Sequence, residues 1–262
     1  MSRLKQFYRL LFSLYGFLVF FLFMFLLLPF FFYSFFRGRI SGGNFLYKIC
    51  RFWADGFYFL TGIRHLNIYE HTPAQGEAHI FISNHISYLD IPEMMQATRG
   101  FDVRILGKAE MSKLPIFGFI YRQGVVLVNR DNAEARMKSV KELKNFLKEQ
   151  ISIFICPEGT FNKTGNPLKN FYDGAFRIAI DTQKPLQPIL FPDTFDRLSY
   201  KSVFSLNPGK CRAVFLTPTH TLGLTHADLD ELKATIYQQM DAGLRRYKAG
   251  WISQDNASSG NQ

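Results

Sequence analysis

The hydrophobic pattern divides the chain into two unequal parts. From Leu10 to Phe36 there are 27 consecutive residues without a charge, eleven of them Phe. As a helix such a run reaches ~40 Å, enough to cross a hydrocarbon core of ~30 Å with tilt. It is too long for a cleaved signal peptide, and nothing in a domain of this size would cover a helix that is apolar all round. The run therefore predicts a membrane-inserted helix. Between Phe45 and Ile63 the pattern changes. Phe45, Leu46, Ile49, Trp53, Phe57, Phe59 and Leu60 are interleaved with Lys48, Arg51 and Asp55, which predicts an amphipathic helix lying at the membrane interface.

Beyond residue 62 the apolar positions come in short runs, near 63–69, 79–84, 103–107, 124–129, 151–156, 186–191 and 211–217. Runs of this length bounded by turn residues predict buried strands. Helix-length segments lie between several of them. Ala133 to Glu149 sets Met137, Val140, Leu143 and Leu147 on one face, behind Asp131 or Asn132 as N-cap. Phe171 to Thr182 and His226 to Lys248 complete the predicted helices. Strands alternating with helices predict an α/β fold, a largely parallel sheet of about seven strands covered by helices. The expected organisation is a membrane anchor over 1–62, one domain over 63–250, and a small, polar tail over 251–262 that is expected to be disordered.

Topology is left open by charge. Arg3, Lys5 and Arg9 precede the long apolar run and Arg37, Arg39, Lys48 and Arg51 follow it, so the basic residues show no clean asymmetry. With Pro29 inside the run, this favours a two-helix anchor that enters and returns on one side, with a single span as the alternative. The net charge of +10 suits a surface of anionic phospholipid, where each basic residue contributes about 1 kcal/mol. Nucleic acid is not the expected partner: there is no zinc-finger spacing, no RNP-type aromatic run and no arginine-rich arm. Cys50, Cys156 and Cys211 form neither a disulfide framework nor a metal motif, which fits a reducing compartment.

Two corners carry the candidate chemistry. His79-Ile80-Phe81-Ile82 leads into Ser83-Asn84-His85-Ile86-Ser87-Tyr88-Leu89-Asp90, which places a histidine and a carboxylate five residues apart where a strand ends. Imidazole can take a proton from a hydroxyl near neutral pH, and an aspartate beside it can fix its tautomer. About seventy residues on, the run from Ile151 to Ile155 leads into Cys156-Pro157-Glu158-Gly159-Thr160. There is no Gly-x-Ser-x-Gly nucleophile elbow, and a buried cysteine is the simpler reading of Cys156.

Together, Asn-His-x-x-x-x-Asp and Pro-Glu-Gly-Thr resemble the glycerolipid acyltransferases, in particular the 1-acyl-sn-glycerol-3-phosphate acyltransferases. The resemblance implies that His85 acts as base and Asp90 as its partner. It also implies that Glu158 contacts the glycerol backbone or anchors the site, beside Gly159 and Thr160. Arg130 would serve the acceptor phosphate, and Lys108 would serve phosphate or the oxyanion. The expected reaction is acyl transfer to the sn-2 hydroxyl of lysophosphatidic acid, with another lyso-lipid as the alternative acceptor. Acyl-CoA or acyl carrier protein is the expected co-substrate, membrane lipids are the expected partners, and no metal or organic cofactor is implied. The expected location is the cytoplasmic side of a bacterial inner membrane. The chain departs from the commonest family pattern in two places: Cys156 stands where relatives often have Phe, and Phe161 and Asn162 follow Thr160 where relatives often carry Arg-Ser. The second change removes a bidentate phosphate clamp.

Overall fold

The computed structural model describes residues 3–114, 117–129 and 132–253. All seven apolar runs form strands: β1 (Ile63–Tyr69), β2 (Ile80–Ser83), β3 (Val103–Lys108), β4 (Val125–Val128), β5 (Ser152–Ile155), β6 (Leu186–Leu190) and β7 (Gly209–Phe215). They make one sheet in the order β1-β7-β6-β2-β5-β3-β4. The five strands from β6 to β4 in that order run parallel. β7 is antiparallel to β6 and β1 parallel to β7, so two strands at one margin oppose the rest.

The central strands read as unbroken apolar runs because both of their faces are covered. Ile80, Ile82, Ile153 and Ile155 point into one core. There they meet α5 (Ala133–Lys148), α6 (Gly174–Thr182) and α8 (Leu229–Arg246). Phe81 and Phe154 point the opposite way, towards α2 (Gly43–Leu60) and α3 (Asp90–Ala97). α5 is capped by Asn132, whose side chain accepts from the Ala135 amide at 2.9 Å. α6 starts at Gly174, later than its apolar pattern suggested; ahead of it the Tyr172 amide binds the Pro157 carbonyl at 2.9 Å. Two short helices, α4 (Phe117–Gly124) and α7 (Thr194–Arg197), span too few residues to show a helical period.

The long apolar run is α1 (Arg3–Phe36), which at 1.5 Å per residue is about 50 Å long. It packs along α2, burying Val19, Leu27 and Phe31 with Leu46, Ile49 and Phe57. The helices approach closely where Gly56 faces the Phe23 ring, since a Cβ there would lie 2.2 Å from it. Both ends of α1 are tied to the domain. Near its start, Arg9 donates to the Ser205 carbonyl at 2.8 Å and Ser13 accepts from the Leu206 amide at 3.1 Å. Near its end, Gln123 donates to the Ser34 and Gly38 carbonyls, and Phe119 packs on Phe32 and Phe35.

A π-helical turn over Gly38–Gly42 joins α1 to α2. Arg39 in that turn donates to the carbonyls of Arg122, Gln123 and Val125 and pairs with Glu142 at 2.6 Å. Arg104, fully buried, donates to the Ile40 carbonyl at 2.8 Å. The outer face of α1 remains apolar and exposed, with Leu18, Phe25, Leu26 and Phe30 each more than half accessible. An apolar surface this continuous is a membrane-associating one.

Candidate active site

Because five strands run parallel, their C-terminal ends share one edge of the sheet, where loops gather functional groups on an open α/β sheet. His85 follows β2, Lys108 ends β3, Glu158 follows β5 and Phe191 follows β6. The loop after β2 is locked to the end of β6 by Asn84, whose amide accepts from the Phe191 N–H at 2.8 Å and donates to its carbonyl at 3.2 Å.

His85 Nδ1 lies 2.8 Å from Asp90 Oδ2. The same carboxylate oxygen accepts the backbone N–H groups of Ile86 at 2.7 Å and Ser87 at 2.9 Å. A carboxylate surrounded by donors is acceptor-only, so Nδ1 carries the imidazole proton and Nε2 keeps its lone pair for a substrate. Asp90 is fully buried, while the His85 side chain is 22% exposed, so the ring alone reaches outward. Asp90 Oδ1 is buried without a hydrogen-bond partner among the described residues, leaving carboxylate charge available to an imidazolium. One turn along α3, buried Glu93 takes the Tyr58 hydroxyl at 2.8 Å and His65 Nδ1 at 2.9 Å. Contacts from α2 and β1 thus hold the helix that begins with Asp90.

Glu158 is buried, and both of its oxygens are committed to backbone. Oε1 accepts the His85 N–H at 2.9 Å and Oε2 accepts the Lys169 N–H at 2.9 Å. The side chain thus joins the loop after β2 to the loop after β5. Asn162, which sequence reasoning noted only as a departure from the pattern, completes the clasp through its N–H to the His85 carbonyl at 2.8 Å. Its side-chain amide donates to the Asn166 and Pro167 carbonyls. Gly159 has φ +70, a conformation that excludes most side chains. Thr160 accepts from Lys169 Nζ at 2.5 Å.

Burial pushes the Glu158 carboxyl up to about 8. The backbone N–H groups of Lys169 and His85 oppose the rise, and Asp90 adds to it. Between its ordinary value of 4.5 and about 8, the folded state holds this proton more tightly than the unfolded chain. Its contribution to stability is therefore complete below the ordinary value and declines as pH rises to about 8, at up to about 1.4 kcal/mol per pH unit. Thermal melting from pH 5 to 8 should show the wild type losing stability more steeply than Glu158→Gln. Parallel slopes would exclude this carboxyl as the source.

The remaining candidates are less closely assembled. Lys108 is exposed at the end of β3, two strand positions from β2 on the same edge. Arg130 lies outside the described residues. Cys156 sits 3.6 Å from the Ser83 hydroxyl, and burial pushes its thiol well up, which disfavours a nucleophilic thiolate. Phe161, in the place of the family arginine, packs on the His85 ring at 4.5 Å between centroids and touches Tyr88 and Tyr200. The wall beside the imidazole is therefore aromatic. Sequence alone marked the missing cation but not this contact.

Residues 65–191 match the family model described as Acyltransferase. A putative 1-acyl-sn-glycerol-3-phosphate acyltransferase of Caenorhabditis elegans is 30% identical over 196 residues, covering 73% of this chain and 67% of that protein. A chloroplastic 1-acyl-sn-glycerol-3-phosphate acyltransferase of Arabidopsis thaliana is 30% identical over 175 residues, covering 66% of this chain and 48% of its own length. Against human 1-acyl-sn-glycerol-3-phosphate acyltransferase beta the match spans 58% of that relative. The chain thus covers between about half and two-thirds of these curated relatives. The crystal structure of the 1-acyl-sn-glycerophosphate acyltransferase PlsC from Thermotoga maritima shares the fold, with a TM-score of 0.76, 20% identity, and 95% and 100% of the two chains covered. The chain belongs to the acyltransferase family.

Proposed function

We propose that the protein transfers a fatty acyl group from an acyl thioester to the sn-2 hydroxyl of lysophosphatidic acid, forming phosphatidic acid. The observation that carries this reading is the His85–Asp90 pair, with Nδ1 held by a buried carboxylate and the ring reaching outward at the end of β2. The names of the relatives supply the acceptor.

In this reading the lone pair on His85 Nε2 takes the proton of the acceptor hydroxyl. The hydroxyl oxygen attacks the thioester carbonyl, the tetrahedral oxyanion collapses, and the C–S bond breaks. The imidazolium, stabilised by Asp90, returns its proton to the departing thiolate. A thioester is already activated, so no acyl-enzyme is required. Lys108 and Arg130 serve the acceptor phosphate or the oxyanion, beside the Glu158-Gly159-Thr160 turn that shapes the loop. Residues 1–62 act as the membrane anchor and 63–250 carry the chemistry. Both ends of α1 being tied to the domain supports an anchor that lies along the lipid surface, and the proposed surface is the cytoplasmic side of a bacterial inner membrane.

A second reading keeps the chemistry and changes the acceptor to another lyso-lipid. The observation favouring it is Phe161, which puts a ring beside His85 where relatives often have an arginine. Transfer from labelled acyl-CoA or acyl carrier protein, by detergent-solubilised protein, separates the two. Product formed on lysophosphatidic acid supports the first reading. Product formed only on a lyso-lipid without the bare phosphate supports the second, and no product on either acceptor with either donor overturns both.

A further inference from the structure

A cavity of about 380 Å³ opens beside the site, between the loop after Phe161, the segment after α7 and Trp251. Among the described residues its lining includes Lys163 and Lys201 and no carboxylate. Lys163 Nζ stands 5.7 Å from the centre of the Tyr200 ring, and Lys201 Nζ 5.6 Å from that of Phe195. Neither ammonium takes part in an ion pair among the described residues. Two unneutralised cations over an aromatic floor form a receptor for a multiply charged anion.

The position of the cavity narrows the choice of anion. Tyr200 stacks on Phe161 at 6.2 Å, and Phe161 packs on His85 at 4.5 Å. The cavity is therefore separated from the base by two rings. Lys108 ends β3, two strand positions from β2 in the sheet, and does not line the cavity. A direct transfer requires both substrates bound at once. Lysophosphatidic acid carries its phosphate on the carbon next to the reacting hydroxyl, so that phosphate must stay close to His85. A phosphopantetheine thioester carries its phosphate at the far end of a long arm, which suits a site set back behind two rings.

Resting on the acyl-transfer reading above, we infer that Lys163 and Lys201 bind the phosphate of a phosphopantetheine-linked acyl donor. Tyr200 and Phe161 then line the path of the arm to His85. The chemistry is common to coenzyme A and to a holo-acyl carrier protein. The two differ in what lies beyond the phosphate: further phosphates in coenzyme A, an acidic protein surface in the carrier.

The test has a binding arm and a kinetic arm. The chain has two tryptophans, and Trp251 lines the cavity, so in a Trp53→Phe background its fluorescence reports occupancy without turnover. Coenzyme A or holo-acyl carrier protein should give a saturable change that weakens at least tenfold in Lys163→Gln/Lys201→Gln. The charge-matched control is Lys138→Gln/Lys141→Gln on α5. Both cavity lysines are exposed, so their replacement should leave the fold intact. Among turnover measurements, the KM for acyl-CoA or acyl carrier protein should rise about tenfold in the cavity variant, and more than the KM for a phosphate-free N-acetylcysteamine thioester. A response confined to one donor identifies the carrier. The inference is overturned if neither donor changes the fluorescence, if the control variant weakens binding equally, or if the KM that rises is that of the lyso-lipid. Binding that persists in a protein without transferase activity would leave this site standing and remove the proposed reaction instead.

Discussion

Replacing His85 with alanine should lower kcat by about 10²–10⁴-fold, the range expected when a positioned general base is lost. The effect should fall on turnover, with a smaller change in KM, because in the proposed mechanism the imidazole acts on the proton that moves as the C–O bond forms. Folding should survive. Among the described residues the side chain makes one hydrogen bond, to Asp90, and one ring contact, to Phe161. The loop is held through the His85 backbone, by Glu158 on the amide and Asn162 on the carbonyl, and alanine keeps both. Single-turnover rates with saturating donor, beside a melting curve, provide the check. Turnover within threefold of wild type would remove His85 from the mechanism.

Asp90→Asn is the second large effect, and it separates charge from geometry. One carboxylate oxygen serves three donors, His85 Nδ1–H and the amides of Ile86 and Ser87. An asparagine can keep those contacts only by placing its carbonyl there, which leaves its NH₂ in the buried position where Oδ1 has no partner. The loop and the tautomer then survive, while the negative charge facing the imidazolium is lost and a buried donor goes unsatisfied. The expected result is a fall in kcat of about 10²–10⁴-fold with a folded protein, the range over which a positioned general base contributes. A variant as active as wild type would show that the carboxylate orients the loop and contributes nothing to proton transfer.

The parts of this protein that were legible in its sequence are those with a local signature. The strands could be placed because burial on both faces leaves Ile80-Phe81-Ile82 and Ile153-Phe154-Ile155 uninterrupted by polar residues. His85 and Asp90 stood out because five residues suffice to bring a ring and a carboxylate together across a tight turn. By contrast, α4 and α7 are too short to show a period. The clasp of Glu158 on the His85 amide joins residues 73 positions apart through a backbone donor, and backbone donors leave no mark on a residue pattern. The same holds for Phe161 against His85. The substitution could be seen, whereas the surface it faces depends on how two loops fold over the sheet edge.

Leu89, the residue before Asp90, is buried in the same cluster as Val19 of α1 and Phe57 of α2. The loop that presents His85 and Asp90 is therefore built partly on the two N-terminal helices. Amputating those helices would strip the packing from beneath the turn that carries His85 and Asp90, so a fragment without them would be a differently assembled molecule, and any activity measured on it would describe the fragment alone.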